Sequence, residues 1–315
     1  MRVAIFGTGG VGGYFGARLA AVGVEVVFIA RGAHLEAIRT KGLHLDSVLG
    51  DVLVYPAQAS DSPADVGRVD VVLLGVKTWQ VPEAAAAIRP LIGPETFVVP
   101  LQNGVEASSM LAACLGAEYV GGGLCSAFSF IAGPGHIRHL GGTTLTFIKF
   151  GELDNQKTAR VERLREAFAR AGVAVEVPAD IHVALWQKFL LAVPVGGLGA
   201  VTRAPIGVLR TVPDTRTLLE RGMEEIYQVA RAREIPVSDD IVPRSMAVVD
   251  TFTPSGTTSL QRDIVAGQPS ELDGWTEAVV RLGAEAGVAT PVQAFLYASL
   301  LPMELRARGE IAFPE

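Results

Sequence analysis

The 315-residue chain has little cysteine, little charge and few aromatic side chains. Its two cysteines, Cys114 and Cys125, are too few for a disulfide scaffold or a cysteine-based zinc site, so we expect a reduced, cytoplasmic setting. Charged residues make up 19% of the chain, and the net charge is −6. Without a basic excess the sequence gives no expectation of nucleic-acid binding.

Membrane and metal signals are also lacking. The long charge-poor run at residues 119–137 contains five glycines and a proline, which makes it a poor membrane span. No charged leader followed by an apolar segment and a cleavage site is seen, and the histidines show no spacing for a metal. We therefore expect a soluble protein with no membrane partner. Apolar residues, at 49%, suffice for a sizeable core, and the length favours two domains.

The two halves of the chain differ in pattern. Up to residue 178, short β-branched runs alternate with helical spacing, and such apolar strands predict a parallel sheet covered on both faces. We predict strands at residues 2–6, 25–30, 69–76 and 96–102, and a hairpin around Gly141-Gly142 that extends the sheet. Beyond Pro178 only proline-punctuated helical segments follow. The sequence thus predicts an α/β domain at residues 1–178 and an all-α domain at residues 179–315.

A glycine-rich turn follows the first predicted strand, in "RVAIFGTGGVGGYFGARLA". Gly7 permits a tight turn, Gly9 has no Cβ to block a pyrophosphate, and Gly12 lets the next helix pack close to the strand. The helix N-terminus adds unpaired N–H groups and a positive dipole end. In this context the pattern predicts a Rossmann-type dinucleotide site. Its candidate cofactor-binding residues are Gly7, Thr8, Gly9, Gly10, Val11 and Gly12.

The end of the second strand, "FIARGAH", decides between NAD and NADP. An NAD-preferring site usually has an acidic residue there, whereas this chain has Arg31 and no acid before Glu36. Because arginine suits a 2′-phosphate, we predict NADPH/NADP as the cofactor. The alternative is an ordinary surface arginine.

Two further polar residues end apolar strands. Lys77 follows "VVLLGV", and Asn103 follows "FVVPLQ". In open α/β sheets ligands bind outside the carboxyl ends of the strands, so both residues are candidates for the rim of a site. Each alone could equally be a turn residue, since Asn-Gly is a common turn pair.

Lys188 is the one charge in the apolar stretch "ALWQKFLLAVPVGG". Reduction of a carbonyl needs a proton donor for the developing alkoxide, and a partly desolvated lysine can supply it. Such a lysine needs a nearby acid, and "PSELD" offers Glu271. From the residues alone, a lysine that snorkels to water is an equally good interpretation.

Taken together, these motifs resemble the ketopantoate reductase (2-dehydropantoate 2-reductase) family. The resemblance covers nearly the whole chain and rests on "GTGGVGGYFGARLA", "ARGAHL", "VKTWQV", "LQNGV", "WQKFLL" and "SLQRDIVAGQPSELD". It implies a Rossmann domain and a helical domain, with NADPH and a 2-oxoacid bound between them. The implied reaction is reduction of ketopantoate to pantoate, as in pantothenate biosynthesis.

The resemblance also implies roles for single residues. Lys188 would donate the proton, with Glu271 and Asn103 as the other catalytic residues. Ser259 would bind the substrate carboxylate, and Lys188 and Asn103 would also contact the substrate. The cofactor contacts that it implies are Gly7, Gly9, Gly12, Arg31, Lys77, Asn103, Ala127 and Glu271.

Three positions depart from the family. Well-studied members carry substrate-binding asparagines where this chain has Ala192, Gly196 and Ile206. Because loss of hydrogen-bonding groups redirects specificity, an NADPH-dependent 2-hydroxyacid dehydrogenase for a more apolar 2-oxoacid is the alternative function. A non-catalytic NADPH-binding sensor is a further alternative function, but the retained Lys188 and Glu271 argue against it. The apolar helical half is compatible with a homodimer.

Overall fold

The computed structural model describes residues 1–314. The chain divides into two compact units, one of residues 1–102 and 106–181, the other of residues 103–105 and 182–314. Each unit has its own hydrophobic core. The main division falls at Ile181, just beyond the predicted position at residue 178. The short segment Asn103–Val105, predicted in the first domain, is grouped with the second unit.

The first unit is α/β. Its strands are β1 (Arg2–Phe6), β2 (Glu25–Ile29), β3 (Leu43–Ser47), β4 (Val52–Val54), β5 (Gln58–Ser60), β6 (Val71–Leu74), β7 (Phe97–Pro100), β8 (Gly121–Ser126), β9 (Ser129–Gly133), β10 (His136–His139), β11 (Phe147–Glu152) and β12 (Ala174–Glu176). Its helices are α1 (Gly10–Ala21), α2 (Gly32–Lys41), α3 (Pro63–Val66), α4 (Val81–Ala87), α5 (Ala107–Leu115) and α6 (Ala159–Arg170).

The main sheet is parallel, with the strand order β5-β2-β1-β6-β7. Successive side chains of β1 point to opposite faces. Val3 and Ile5 therefore enter one core cluster, and Ala4 and Phe6 enter another. This confirms the predicted parallel sheet that is covered on both faces. The strand order reverses between β1 and β6, so the carboxyl ends of these strands define the place where such sheets bind ligands.

The predicted hairpin around Gly141-Gly142 is wrong. β10 belongs to a sheet of order β4-β3-β10-β9, whereas β11 lies in a sheet of order β12-β11-β8. The glycine pair is part of a longer connection with a 3₁₀ turn at Thr143–Leu145. The antiparallel partner of β11 is β8, "GGGLCS", which escapes prediction because glycine is rare in strands. A Cβ on Gly123 would lie 2.3 Å from the carbonyl oxygen of Pro100, so these glycines let β8 approach β7.

The second unit is helical. Its helices are α7 (Ile181–Thr202), α8 (Ile206–Thr211), α9 (Pro213–Ala232), α10 (Ile241–Thr251), α11 (Ser259–Val265), α12 (Ala278–Ala286) and α13 (Pro291–Ala307), and a π-helical turn at Asp273–Glu277 precedes α12. The α7 helix continues through Pro194. By length and composition α7 is the one described helix that could cross a membrane, but 72% of its most apolar window is buried. The core helix of a soluble protein has the same properties.

Candidate active site

The glycine-rich turn between β1 and α1 is crowded at two glycines and open at a third. Gly7 has a φ of +92°, which glycine adopts most readily. A Cβ at Gly12 would lie 2.3 Å from the carbonyl oxygen of Gly7, so α1 can approach β1 only with glycine here. A Cβ at Gly9 would meet no atom within 4 Å. The fold itself therefore needs Gly7 and Gly12, while Gly9 leaves room for a ligand.

The rest of the turn is held from two sides. Thr8 is buried, and both its backbone N–H and its hydroxyl donate to the carbonyl oxygen of Ile29, at 3.1 and 3.0 Å. A Cβ on Gly10 would lie 2.3 Å from the carbonyl oxygen of Ser129, so β9 packs directly against the turn. Val11 is half-buried. The Thr8 side chain thus ties the turn to the end of β2.

Arg31 follows β2 and immediately precedes α2. Its side chain is exposed. Within residues 1–314 the Arg31 guanidinium makes no hydrogen bond or ion pair. The nearby His34 is engaged in the fold, because its Nδ1 accepts the backbone N–H of Gly135 at 2.9 Å. Burial lowers the pKa of His34 and so favours the neutral imidazole.

Lys77 and Ala127 also lie beyond carboxyl ends of strands. Lys77 is half-buried after β6, and its backbone N–H donates to Oε1 of Gln80 at 3.0 Å. Ala127 follows β8, which runs parallel to β7, as the parallel bridge between Val98 and Val120 shows. The first unit thus collects the glycine-rich turn, Arg31, Lys77 and Ala127 beyond the carboxyl ends of β1, β2, β6 and β8.

The second unit brings together the three residues predicted as catalytic. The Lys188 ammonium on α7 donates to Oδ1 of Asn103 at 2.8 Å. Nδ2 of Asn103 donates to Oε2 of Glu271 at 3.2 Å, and Glu271 is only 7% exposed. The two charges fix the amide orientation, since an ammonium only donates and a carboxylate only accepts. The sequence predicted an acid near the lysine but not that Asn103 joins the two.

Ser259 is the first residue of α11. The helix is capped by Thr258, whose hydroxyl accepts the backbone N–H of Gln261 at 3.2 Å. Ser259 is half-buried. The Thr258 hydroxyl lies 3.2 Å from the place that a Cβ of Gly196 would occupy. Ser259 therefore begins α11 next to the turn of α7 that carries Gly196.

Ala192, Gly196 and Ile206, the positions at which the resemblance to the family fails, have different surroundings. Lys188, Ala192 and Gly196 are spaced by four and so share one face of α7. Over Gly196 lies the ring of Trp275, which is 3% exposed; a Cβ at Gly196 would be 2.5 Å from its Cζ3. Ile206, by contrast, is packed in the core of the second unit. Sequence reasoning missed Trp275, since no local signal links it to a glycine on another helix.

Across the described part of the chain, no three His, Cys, Asp or Glu side chains are grouped so that they could hold a metal ion.

Known proteins match the chain over nearly its whole length. Residues 3–155 match the family model "Ketopantoate reductase PanE/ApbA", and residues 180–304 match "Ketopantoate reductase PanE/ApbA C terminal". The 2-dehydropantoate 2-reductase of Halobacterium salinarum is 30% identical over 294 residues, which cover 93% of this chain and 95% of that protein.

Solved structures agree with these matches. The PanE/ApbA family ketopantoate reductase from Ralstonia eutropha JMP134 is 33% identical, with a TM-score of 0.88 over 98% of this chain and 100% of that one. A D-mandelate dehydrogenase, solved with NADH and anilino(oxo)acetate, has a TM-score of 0.87 at 22% identity over 98% and 100% of the two chains. At that identity the likeness concerns the fold.

Proposed function

Since the chain belongs to the ketopantoate reductase PanE/ApbA family, we propose that it is an NADPH-dependent 2-oxoacid reductase that converts 2-dehydropantoate (ketopantoate) to pantoate. This would place it in pantothenate biosynthesis in the cytoplasm. The observation that carries the proposal is the hydrogen-bonded chain Lys188–Asn103–Glu271 in the second unit. A lysine that is held and oriented in this way can act as a proton donor to a carbonyl oxygen.

The first unit supports the choice of cofactor. The open space at Gly9, between the crowded Gly7 and Gly12, fits a pyrophosphate at the N-terminus of α1. The exposed Arg31 guanidinium suits the 2′-phosphate that distinguishes NADPH from NADH. Lys77 and the main chain of Ala127 would complete the contacts from this unit. Asn103 and Glu271 would add contacts from the second unit.

Bound NADPH supplies the hydride for the ketone carbon. Lys188 then has a separate task, which is to donate a hydrogen bond to the ketone oxygen and transfer a proton as negative charge develops there. Asn103 fixes the direction of the ammonium by accepting one of its N–H groups. The Glu271 carboxylate balances the ammonium charge through the Asn103 amide. The Ser259 hydroxyl would bind the substrate carboxylate.

A second candidate substrate is favoured by Trp275. Where family members offer an asparagine to the substrate, Gly196 is covered by the Cζ3 and Cε3 edge of the indole ring. Ala192, one turn nearer Lys188, is also apolar. A substrate hydroxyl bound along this face would meet carbon atoms and lose hydrogen bonds to water, which costs binding energy. The same chemistry on a branched or aromatic 2-oxoacid, as a 2-hydroxyacid dehydrogenase, is therefore the alternative.

The test is oxidation of NADPH, followed by absorbance, with ketopantoate and with a panel of branched and aromatic 2-oxoacids. Highest kcat/KM on ketopantoate supports the first candidate, and turnover only on the others supports the second. NADPH binding without turnover on any 2-oxoacid would instead favour a non-catalytic sensor.

The role of Lys188 is tested by Lys188→Ala. We expect kcat to fall by about two to four orders of magnitude, the usual contribution of a general acid, with NADPH affinity nearly unchanged. Lys157→Ala, at an exposed lysine of the first unit, is the matched control and should keep full activity. Near-normal turnover by Lys188→Ala would exclude the proposed mechanism.

A further inference from the structure

Glu304 is a buried carboxylate to which the proposed mechanism assigns no role. It lies on α13 and is 1% exposed. Its two oxygens accept the backbone N–H of Ser270, at 3.0 and 3.1 Å, and also the Ser270 hydroxyl. A buried carboxylate is tolerated only with such partners. All these bonds therefore act on the residue immediately before Glu271.

Arg308, four residues after Glu304 and just beyond the end of α13, contacts the other end of the segment that carries Glu271, residues 270–274. Its Nε donates to Glu304 at 2.7 Å, and its terminal nitrogen donates to both oxygens of Asp273 at 3.0 and 2.8 Å. The Glu304–Arg308 pair thus fixes Ser270 and Asp273. These two residues flank Glu271 on either side.

Within this segment a side-chain-to-backbone hydrogen bond closes a turn. The Ser270 hydroxyl accepts the N–H of Leu272 at 3.2 Å, which makes a tight turn with Glu271 at its centre. The segment also lies close to the residue after Asn103, because a Cβ on Gly104 would be 2.9 Å from the carbonyl oxygen of Gly274. A shift of this segment would therefore change the distance between Glu271 and Asn103.

We infer that Glu304 is a positioning residue, which holds Glu271 against Asn103 through Ser270 and so keeps Lys188 aimed. The inference rests on the proposed function for its effect on turnover. It gives a use to a charge that is buried in α13.

The test is Glu304→Gln with Glu225→Gln as a matched control. Glu225 is also a buried carboxylate of the second unit, and it accepts two backbone N–H groups, those of Val292 and Gln293, at 2.7 and 3.0 Å. Each substitution keeps the shape, removes one charge and turns an NH₂ group toward a donor. Only Glu304 contacts the segment that carries Glu271.

We expect Glu304→Gln to lower kcat by about 10- to 100-fold, the scale of a misplacement of ~1 Å in a reacting group. The pH at which activity falls on the basic side should move lower, because the Lys188 ammonium loses a well-placed anion. Glu225→Gln should change neither quantity. Equal kcat and equal pH profiles for the two variants would overturn the inference.

Two further measurements keep the test decisive. If Glu304→Gln does not fold, Ser270→Ala replaces it; a pH profile unchanged from wild type would then refute the positioning role, and a shift to lower pH would support it. If the wild-type protein reduces no 2-oxoacid, the proposed function fails by itself. The NMR signals of the Asn103 side-chain amide then decide: they should shift in Glu304→Gln but not in Glu225→Gln, and no shift in either would overturn the inference.

Discussion

The glycine-rich turn offers a test that separates the needs of folding from the needs of the cofactor. In Gly12→Ala the new methyl group would lie 2.3 Å from the carbonyl oxygen of Gly7 and 2.9 Å from Cγ2 of Ile5. Backbone atoms cannot yield as a flexible side chain can, so α1 must move away from β1. We expect the free energy of unfolding to fall by about 1–3 kcal/mol, the usual cost of overpacking.

Gly9→Ala should behave in the opposite way. The methyl group would meet no atom within 4 Å, and the backbone at φ −86° and ψ −160° is open to any residue. We therefore expect the free energy of unfolding to change by less than about 1 kcal/mol. The methyl group would occupy the space proposed for the pyrophosphate, so NADPH affinity should fall at least about tenfold, or ~1.4 kcal/mol.

Urea unfolding measures the first quantity, and titration of NADPH fluorescence measures the second. Gly142→Ala is the control, because Gly142 also has an allowed φ of −71° and open space around a Cβ but lies outside the turn. It should leave both quantities unchanged. Wild-type NADPH affinity in Gly9→Ala would show that the pyrophosphate does not lie over this residue. Wild-type stability in Gly12→Ala would refute the steric argument.

Three other changes test separate features. Arg31→Ala should weaken NADPH binding by about 10- to 100-fold, the contribution of a charge-assisted hydrogen bond, and should leave NADH affinity unchanged. If titrations show that NADPH and NADH lose the same affinity, Arg31 does not determine a preference for NADP. His139 is buried, and this burial, with the nearby Arg18 charge, lowers its pKa to about 4. Since the pKa in the folded state lies below that in the unfolded state, the free energy of unfolding should fall by a few kcal/mol as pH falls from about 6.5 to 4. Urea unfolding at several pH values measures this loss, and the same pH dependence in His139→Gln as in the wild type would contradict it. Finally, Gly196→Asn with Trp275→Ala should raise the kcat/KM ratio of ketopantoate over aromatic 2-oxoacids; a ratio equal to that of the wild type would show that this turn of α7 does not contact the substrate.

The sequence predicts correctly those strands whose residues both favour the strand conformation and fill the core. β1 needs its β-branched residues both as strand formers and as core, so the pattern "RVAIF" predicts its bounds of Arg2–Phe6 correctly. In β8 the two demands conflict, because close approach to β7 requires glycine and strand propensity opposes it. Strand pairing across a long connection then decides the outcome, and the predicted hairpin around Gly141 fails for that reason.

The candidate site divides in a similar way. The sequence shows a lysine in an apolar helix and an acid elsewhere in the chain, but these residues alone fit a snorkelling lysine equally well, and the resemblance to a family decides for the catalytic role. That Asn103 joins Lys188 to Glu271 depends on a contact between segments 168 residues apart, which no periodicity reports. The support from Glu304 was equally hidden, because a buried glutamate on α13 has the sequence signature of an ordinary helix residue.

Gly196 shows why the loss of a polar side chain cannot be interpreted from that residue alone, without knowing which other residue fills the space. Loss of an asparagine suggests an enlarged pocket that water could fill, and water could then take over the lost hydrogen bonds. The structure instead places the carbon edge of Trp275 within 2.5 Å of the space that a Cβ would occupy. The space is therefore filled by carbon, and neither a water molecule nor an asparagine can be added without moving the ring. We therefore expect a substrate that reaches this turn of α7 to present an apolar group to it, and we expect specificity here to depend on Gly196 and Trp275 as a pair.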